Sequence, residues 1–178
     1  MGCDKSKLRI GARSLLQHVR HAAGILDLPV RVIRRDKLPR CGPLGGIYTG
    51  LITSKHDAEL FLACDMPFID VRLLKRLVSL FRKSRGVAFA HHKKVAGFPC
   101  IIPRKKVNVV ITRISLRSLS IQDLARSLRA AYLSPTSSKS LTNLNTPAEL
   151  EQARKQVSTK RPHCASSGAK FPAATACK

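Results

Sequence analysis

The sequence contains no tryptophan, and aromatic residues make up only 4% of its 178 residues. Proteins that bind single-stranded nucleic acid stack successive bases on aromatic side chains, and this composition offers few such platforms. Long apolar runs are also missing, since none approaches the roughly 20 residues that a membrane-spanning helix needs. The segment Met1–Lys5 lacks the apolar block of a signal peptide. We therefore expect a cytoplasmic protein that has no membrane partner.

Acidic residues are scarce. Ten Asp and Glu stand against 33 Lys and Arg, which gives a formal net charge of +23. Between Asp70 and Asp123 there is no acidic residue at all. This imbalance predicts a strongly positive face and anionic partners, but it does not choose among them. A basic nucleic-acid-binding protein is therefore an open alternative, although we expect such binding to be nonspecific.

Metal-binding cysteine pairs are absent as well. The six cysteines are scattered without a Cys-x-x-Cys pair or a zinc-ligand spacing. We expect all six cysteines to be reduced thiols. Cys64 and Cys100 lie inside apolar runs and are expected to act as small buried hydrophobic residues. The tetrad His91–Lys94 is interpreted as a solvated turn, because its lysines would repel a metal ion. No Gly-x-Ser-x-Gly elbow is present, so covalent catalysis has no candidate nucleophile.

Short β-branched or apolar runs alternate with segments of helical period, and this alternation predicts a layered α/β sheet. We expect Glu59–Cys64 to be a central parallel strand covered on both faces. The run Val107–Ile111 stays open between strand and helix. Residues 158–178 have no apolar period and are predicted to be a disordered basic tail after a domain of residues 1–157. The other predicted strands are Val30–Ile33, ending near Asp36, and Gly86–Ala90; helices are predicted after Ser14, Gly46, Asp70, Ser120 and Thr146.

Asp65 is the first candidate for chemistry, because it follows the apolar strand and precedes Pro67, which stops that strand. Ligands of open α/β sheets bind at the carboxyl ends of strands. Mg²⁺ needs only one or two protein carboxylates, since water and substrate phosphates complete its shell. The alternative is that Asp65 only caps the following turn.

The glycine-rich segment Gly42–Gly46 is the second candidate. Its glycines would let backbone N–H groups approach an anion, and a following helix would add its positive end. The competing interpretation is a tight connection without a ligand. Lys5 could reach a phosphate as a mobile point charge, but by default it is one of many surface lysines.

Taken together and in order, four segments resemble the molybdenum cofactor guanylyltransferases (MobA-type) among the NTP-transferase domains. Asp4-Lys5 is similar to the end of the family's opening motif, and Gly42-Pro43-Leu44-Gly45-Gly46-Ile47 to its Gly-Pro-Leu-Ala/Gly-Gly-Ile segment. Asp65-Met66-Pro67-Phe68 is similar to the Asp-x-Pro-Phe/Tyr magnesium site. The fourth segment, Asn145-Thr146-Pro147-Ala148-Glu149-Leu150, matches the closing Asn-Thr-Pro motif.

The resemblance implies a Rossmann-like layered sheet of the nucleotide-diphospho-sugar transferase type. It implies transfer of GMP from GTP to the phosphate of molybdopterin, with release of pyrophosphate and Mg²⁺ as cofactor. Lys5 and Asp65 would be catalytic, and Asp65 would hold the metal. The nucleotide or cofactor would contact Lys5, Asp36, Gly42, Pro43, Leu44, Gly45, Asp65 and Asn145. A monomer is expected.

The sequence departs from the family in two places. The family's first strand and phosphate loop are expected to be missing, which could impair activity. Between Val19 and Val30 the chain is also too short for the family strand that ends in an asparagine at the nucleotide. Base selectivity therefore stays open. The alternative within the same fold is a cytidylyl- or sugar-nucleotide-forming transferase.

Overall fold

The computed structural model describes residues 8–84, 86–92, 95–144 and 146–158. Its centre is a mixed four-stranded sheet with the strand order β3-β5-β4-β6. A two-stranded antiparallel ribbon stands apart from it. The strands are β1 Arg9–Ile10, β2 Arg13–Ser14, β3 Ala58–Phe61, β4 Ala88–His92, β5 Val95–Pro103 and β6 Ala131–Leu133.

The described residues form six α-helices, and the positions of these helices among the strands confirm the predicted α/β alternation. The ambiguous run after Lys106 proves to be helical. No helix of the described residues is long and apolar enough to cross a membrane. Of the predicted tail, residues 158–178, Ser158 is the last residue of a helix and residues 159–178 lie outside the described residues. The helices are α1 Leu15–Gly24, α2 Gly42–Ile52, α3 Val71–Ser84, α4 Val107–Ser115, α5 Ile121–Ser127 and α6 Pro147–Ser158.

The predicted helix starts after Ser14 and Thr146 are confirmed by capping hydrogen bonds. Gln17 N–H donates to Ser14 Oγ at 3.2 Å, and Ser14 N–H donates to Gln17 Oε1 at 2.7 Å. The same reciprocal pair opens α6, where Thr146 N–H donates to Glu149 Oε2 at 2.8 Å. These boxes satisfy backbone donors that a helix leaves without intrahelical partners. The local sequence therefore fixes where these two helices begin.

The alternation of side chains along β5 divides the core into two layers. Cys100 and Ile102 pack on one face of the sheet, in a cluster with side chains of α2, α4 and α5. Ile101 packs on the opposite face with Leu77 of α3. Cys100 is fully buried, and this burial raises the pKa of its thiol far above the ordinary value. Its predicted role as a small buried hydrophobe is confirmed, whereas Cys64 is exposed.

The prediction of a central parallel strand at Glu59–Cys64 is wrong. The strand is shorter, β3 lies at the edge of the described sheet, and its partner β5 runs antiparallel to it. Ala58, Glu59 and Leu60 are half-buried rather than buried. A continuous apolar run shows that both faces of a strand contact apolar groups, but it does not encode the direction or number of neighbouring strands.

The predicted strand at Val30–Ile33 is also absent, and this described segment has no regular secondary structure. It makes no strand pairing. Instead, the Arg31 guanidinium donates to the carbonyl oxygen of Gly50 at 2.9 Å and lies 3.5 Å from the Glu59 carboxylate. β-branched composition favours an extended backbone, but a strand also requires a partner for its ladder of hydrogen bonds.

Candidate functional site

Asp65 lies four residues beyond the end of β3 in a loop that the core holds in place. The following Met66 and Pro67 are buried, while Asp65 itself is half-buried. One oxygen of its carboxylate, Oδ1, is shielded from solvent. The backbone carbonyl of Asp65 accepts a 2.9 Å hydrogen bond from Leu144 N–H. The fold therefore joins the Asp65 loop to the segment that leads into α6, although 79 residues separate them in the sequence.

The glycine-rich segment is not a loop before a helix, as predicted, but the first turn of α2. Gly42 has a positive φ of 52°, a conformation that favours glycine. Pro43 occupies the start of the helix, where proline costs no hydrogen bond. Leu44 is fully buried in the core. A ligand at this turn would therefore meet the backbone of Leu44 rather than its side chain.

Asp36 lies directly against this turn. A Cβ atom on Gly45 would come within 2.7 Å of Asp36 Oδ2 and 3.0 Å of the Leu38 carbonyl oxygen. Lys37 N–H donates to Thr49 Oγ1 at 2.8 Å, and Thr49 Oγ1 donates to the Gly45 carbonyl at 2.8 Å. In this chain, the missing side chain of Gly45 thus permits the close approach of Asp36. The structure brings together Asp36 and the glycine turn, which the sequence could only propose separately.

These elements border a cavity of about 490 Å³, which we call the first cavity. Segment 28–33 and β3 both line this cavity, and they do not pair with each other as strands. The cavity volume is in the range of small-molecule sites. Among its lining residues are Asp36, Pro43, Gly46, Cys64 and Phe98.

Only some of the predicted site residues line the first cavity. Asp36 and Pro43 line it, whereas Gly42, Leu44 and Gly45 belong to the same helical turn without lining it. Asp65 is one residue beyond the lining residue Cys64. Lys5 and Asn145 lie outside the described residues, so their predicted roles stay predictions.

The donor set near Asp65 fits one kind of metal site. No group of three or more His, Cys, Asp or Glu side chains gathers among residues that the structure describes. A Mg²⁺ ion needs fewer protein ligands, because phosphate and water oxygens fill most of its shell. The carboxylate of Asp65, with one oxygen shielded from solvent, is a suitable hard ligand for such an ion.

Comparison with known proteins identifies the family. Residues 18–133 match the family described as the MobA-like NTP transferase domain, which is more than half of the chain. The chain belongs to this family. The MobA-like match confirms the resemblance that the four sequence segments indicate, and its residues include Asp36, the glycine turn and Asp65.

Relatives in this family carry consistent names. A probable molybdenum cofactor guanylyltransferase of Flavobacterium johnsoniae is 34% identical over 112 residues, which are 61% of this chain and 59% of that protein. A second, from Methanothermobacter thermautotrophicus, is 48% identical over 60 residues, or 34% of this chain and 30% of the relative. A molybdenum cofactor guanylyltransferase of Syntrophotalea carbinolica is 26% identical over 94% of this chain and 92% of its own length. In the first two relatives, the chain thus matches less than two thirds of the protein.

Solved structures confirm the Rossmann-like nucleotidyltransferase fold. The molybdopterin-guanine dinucleotide biosynthesis protein A from Archaeoglobus fulgidus superposes with a TM-score of 0.70 at 17% identity, covering 89% of this chain and 92% of that one. The 2-C-methyl-D-erythritol 4-phosphate cytidylyltransferase from Thermus thermophilus gives 0.62 at 15% identity, covering 86% and 94%. At such identities the likeness concerns the fold alone.

The sequence interpretation missed one cluster. The predicted solvated turn at His91 is wrong: His91 is part of β4, its Nε2 lies 2.9 Å from Ser134 Oγ, and its ring packs against Tyr132. No local motif marks these three residues, because β4 and β6 meet only in the folded sheet.

Proposed function

We propose that this chain transfers GMP from GTP to the phosphate of molybdopterin in a Mg²⁺-dependent reaction. The observation that carries the proposal is the contact of the Asp36 carboxylate with the glycine turn of α2, beside a cavity that reaches the residue preceding Asp65. Such an arrangement suits a nucleotide with its base side at Asp36 and its phosphates toward Asp65. The names of the relatives support guanosine and the molybdenum cofactor as substrates.

The proposed reaction is a displacement at phosphorus. An oxygen of the molybdopterin phosphate forms a bond to the α-phosphorus of GTP, and the bond from that phosphorus to the bridging oxygen of the β-phosphate breaks. The electron pair leaves with pyrophosphate. Phosphoryl transfer of this kind requires positioning and charge neutralisation from the protein rather than a covalent nucleophile. The acceptor phosphate already carries negative charge, so no strong general base is needed.

In this proposal, each residue binds or orients a group. Asp65 would hold Mg²⁺, which when bound neutralises charge on the phosphates. Asp36 would accept hydrogen bonds from the base, and the backbone of Gly42, Pro43, Leu44 and Gly45 would face the nucleotide. Lys5 would contact the triphosphate, and Asn145 would contact the cofactor side of the site. The many lysines and arginines would attract both anionic substrates.

The proposal includes the cellular location of the protein and its domain boundaries. We infer a cytoplasmic monomer with a transferase domain of residues 1–157 and a basic tail of residues 158–178. The positive charge of +23 would add weak attraction for nucleic acid, which we expect to be nonspecific.

Nucleotide binding tests the function directly. Isothermal titration of the full chain with GTP, CTP and ATP, each with and without Mg²⁺, is expected to give the tightest binding for GTP with the metal. A preference for CTP would instead indicate the cytidylyl branch of the same fold. Equal binding of all three nucleotides that disappears near physiological salt would contradict the proposal and leave only charge attraction.

A substitution at Gly45 tests the role of the Asp36 contact. The Cβ of Gly45→Ala would displace the Asp36 carboxylate and the chain at Leu38, because the distances of 2.7 and 3.0 Å leave no room. We expect GTP affinity to fall about tenfold, equivalent to ~1.4 kcal/mol, because the displaced carboxylate would no longer be positioned to bind the base. Isothermal titration measures this loss.

The control for that experiment is Gly86→Ala. A Cβ at Gly86 would meet the Ser84 carbonyl oxygen at 3.5 Å, which is an ordinary contact. This residue precedes β4, at the end of the sheet opposite Asp65, and GTP affinity should not change. Unaltered GTP affinity in a well-folded Gly45→Ala protein would show that Asp36 takes no part in nucleotide binding.

A further inference from the structure

The first cavity extends beyond the residues that are proposed to hold the nucleotide. Asp36 and Cys64 line it past the carboxyl end of β3, and its lining continues back along the chain to Leu28 and His56. The four residues of β3 alone span about 13 Å, because an extended chain rises ~3.3 Å per residue. This length of the cavity has no part in the proposed reaction.

The chain segment opposite β3 runs beside it in the same direction. The guanidinium group of Arg31 lies 3.5 Å from the carboxylate of Glu59. Two residues further along each chain, Ile33 and Phe61 both lie beside Gly50 of α2. Position 31 therefore matches position 59, and position 33 matches position 61. This is the relation of two parallel strands in one sheet, in which every second side chain points to the same face.

The backbones of these two segments are not hydrogen-bonded to each other. In the described sheet β3 pairs through one edge only, with β5. No backbone N–H or carbonyl group of segment 28–33 takes part in a hydrogen bond with the part of the chain that the structure describes. Neighbouring strands would lie about 4.8 Å apart and exchange such bonds. The first cavity is thus bordered by two rows of backbone donors and acceptors that are open to a further partner.

Helices cover the cavity from both faces of the sheet. Phe61 packs with side chains of α2, whereas the next residue, Leu62, packs with Ala22 of α1. Since successive residues of an extended chain point to opposite faces, α1 and α2 lie on opposite sides of the sheet. Both faces of the cavity are therefore mainly apolar, as they are for a buried strand. The lining residues from the two helices are Leu16, Val19, Arg20, Ala23, Pro43, Gly46 and Ile47.

We propose that the first cavity binds an extended apolar peptide segment of a partner protein, which adds a strand between segment 28–33 and β3. Only an extended chain presents N–H and carbonyl groups along both of its sides, as the two open edges require. Its run of about four to six residues is uncharged and continuously apolar, because helices cover both faces. The peptide would also cover Leu28 and Val30, apolar side chains that are 44% and 42% exposed.

This inference does not depend on the proposed function. The proposed nucleotide contact at Asp36 lies beyond the end of segment 28–33, and the proposed metal ligand Asp65 lies beyond the end of β3. A strand in the cavity would therefore end where the nucleotide begins. We expect the peptide and GTP to bind at the same time.

Isothermal titration of the full chain with the peptide Lys-Val-Ile-Ala-Val-Ile-Lys tests the inference. The flanking lysines keep the peptide soluble, and the net charge of +23 repels them, so charge attraction does not produce binding. We expect this peptide to bind. The peptide Lys-Val-Pro-Ala-Pro-Ile-Lys should not bind, because proline donates no hydrogen bond to a strand. Absent binding of the first peptide, or equal binding of both, would overturn the inference.

Val30→Lys tests the location. Val30 lines the first cavity, and a charge placed there would have to be buried against the apolar peptide. We expect the Kd of the peptide to rise about tenfold. Val95→Lys is the matched control, because Val95 is 55% exposed at the start of β5 and does not line the first cavity. The same Kd for the two variants, both folded by thermal unfolding, would count against this site.

Hydrogen exchange measures whether the peptide binds as a strand. The peptide should slow amide exchange in segment 28–33 and in β3, because new ladder bonds protect these groups. Protection confined to other parts of the chain would contradict strand addition between these segments.

GTP and sedimentation provide the last arms of the experiment. With GTP and Mg²⁺ bound, the Kd of the peptide should not change. Competition between GTP and the peptide would assign the whole cavity to the nucleotide and overturn the inference. A dimer in sedimentation that the peptide does not dissociate would assign the position to a second copy, which also overturns it. Peptide binding by a chain that does not bind GTP would overturn only the proposed function.

Discussion

Asp65→Asn is expected to lower the rate of pyrophosphate release roughly a hundred- to a thousandfold, the usual effect of removing one group that stabilises charge in a transition state. The amide keeps the shape of the carboxylate but loses the negative charge that a hard cation prefers. Apparent Mg²⁺ affinity should fall with the rate. Steady-state assays of pyrophosphate release at several Mg²⁺ concentrations measure both quantities.

A matched control is available at the other end of β3. Asp57 is exposed and precedes β3, so it lies at the opposite end of the strand from Asp65. Asp57→Asn makes the same change of charge and should retain full activity. Thermal unfolding of both variants checks that the fold is intact. A well-folded Asp65→Asn protein with the wild-type rate and Mg²⁺ dependence would refute the metal-binding role of Asp65.

Gly50→Ala is expected to lower the free energy of unfolding by about 2 kcal/mol, within the 1–3 kcal/mol range for overpacking. A Cβ at this position would come within 2.4 Å of Phe61 Cε1 and 3.2 Å of Ile33 Cδ1. These contacts hold α2 against β3 and segment 28–33. The clash outweighs the better helix propensity of alanine, which contributes about 1 kcal/mol. Urea unfolding followed by circular dichroism measures the difference.

Gly46→Ala makes the same substitution one turn earlier in α2. Its Cβ would lie 3.7 Å from Asp36 Oδ1, an ordinary contact, so the propensity gain should dominate. The free energy of unfolding should then rise by up to about 1 kcal/mol. Opposite signs for the two variants are the expected result. A stabilised Gly50→Ala protein would mean that α2 does not pack against Phe61 as described.

Much of the fold could be predicted from local sequence. The capping boxes at Ser14 and Thr146 act over three residues, so the sequence contains both partners of each hydrogen bond. The apolar stripe of α3 likewise predicts which of its faces is buried. The predictions failed where partners are distant. Val30–Ile33 has the composition of a strand without a neighbour to pair with, and the apolar run before Asp65 gave no information about the direction of β5.

For the candidate site, too, local sequence predicts some features and not others. Asp65, the glycine segment and the Asn-Thr-Pro segment are recognisable in the sequence because each is a short motif in a fixed order. The sequence does not show how these segments are arranged in space. The hydrogen bond from Leu144 to the Asp65 carbonyl spans most of the domain. The pairing of His91 with Tyr132 depends on β4 and β6 lying side by side.

The amino-acid sequence by itself determined the family, the starts of α1 and α6 and the positive charge, because these depend on residue type and on spacing along the chain. Only the tertiary structure decided which strand stands at the edge of the described sheet, that Asp36 lies against Gly45, and that segment 28–33 lines the first cavity with β3 instead of pairing with it. The physical reason is that such contacts depend on shape and on hydrogen-bond partners far apart in the chain.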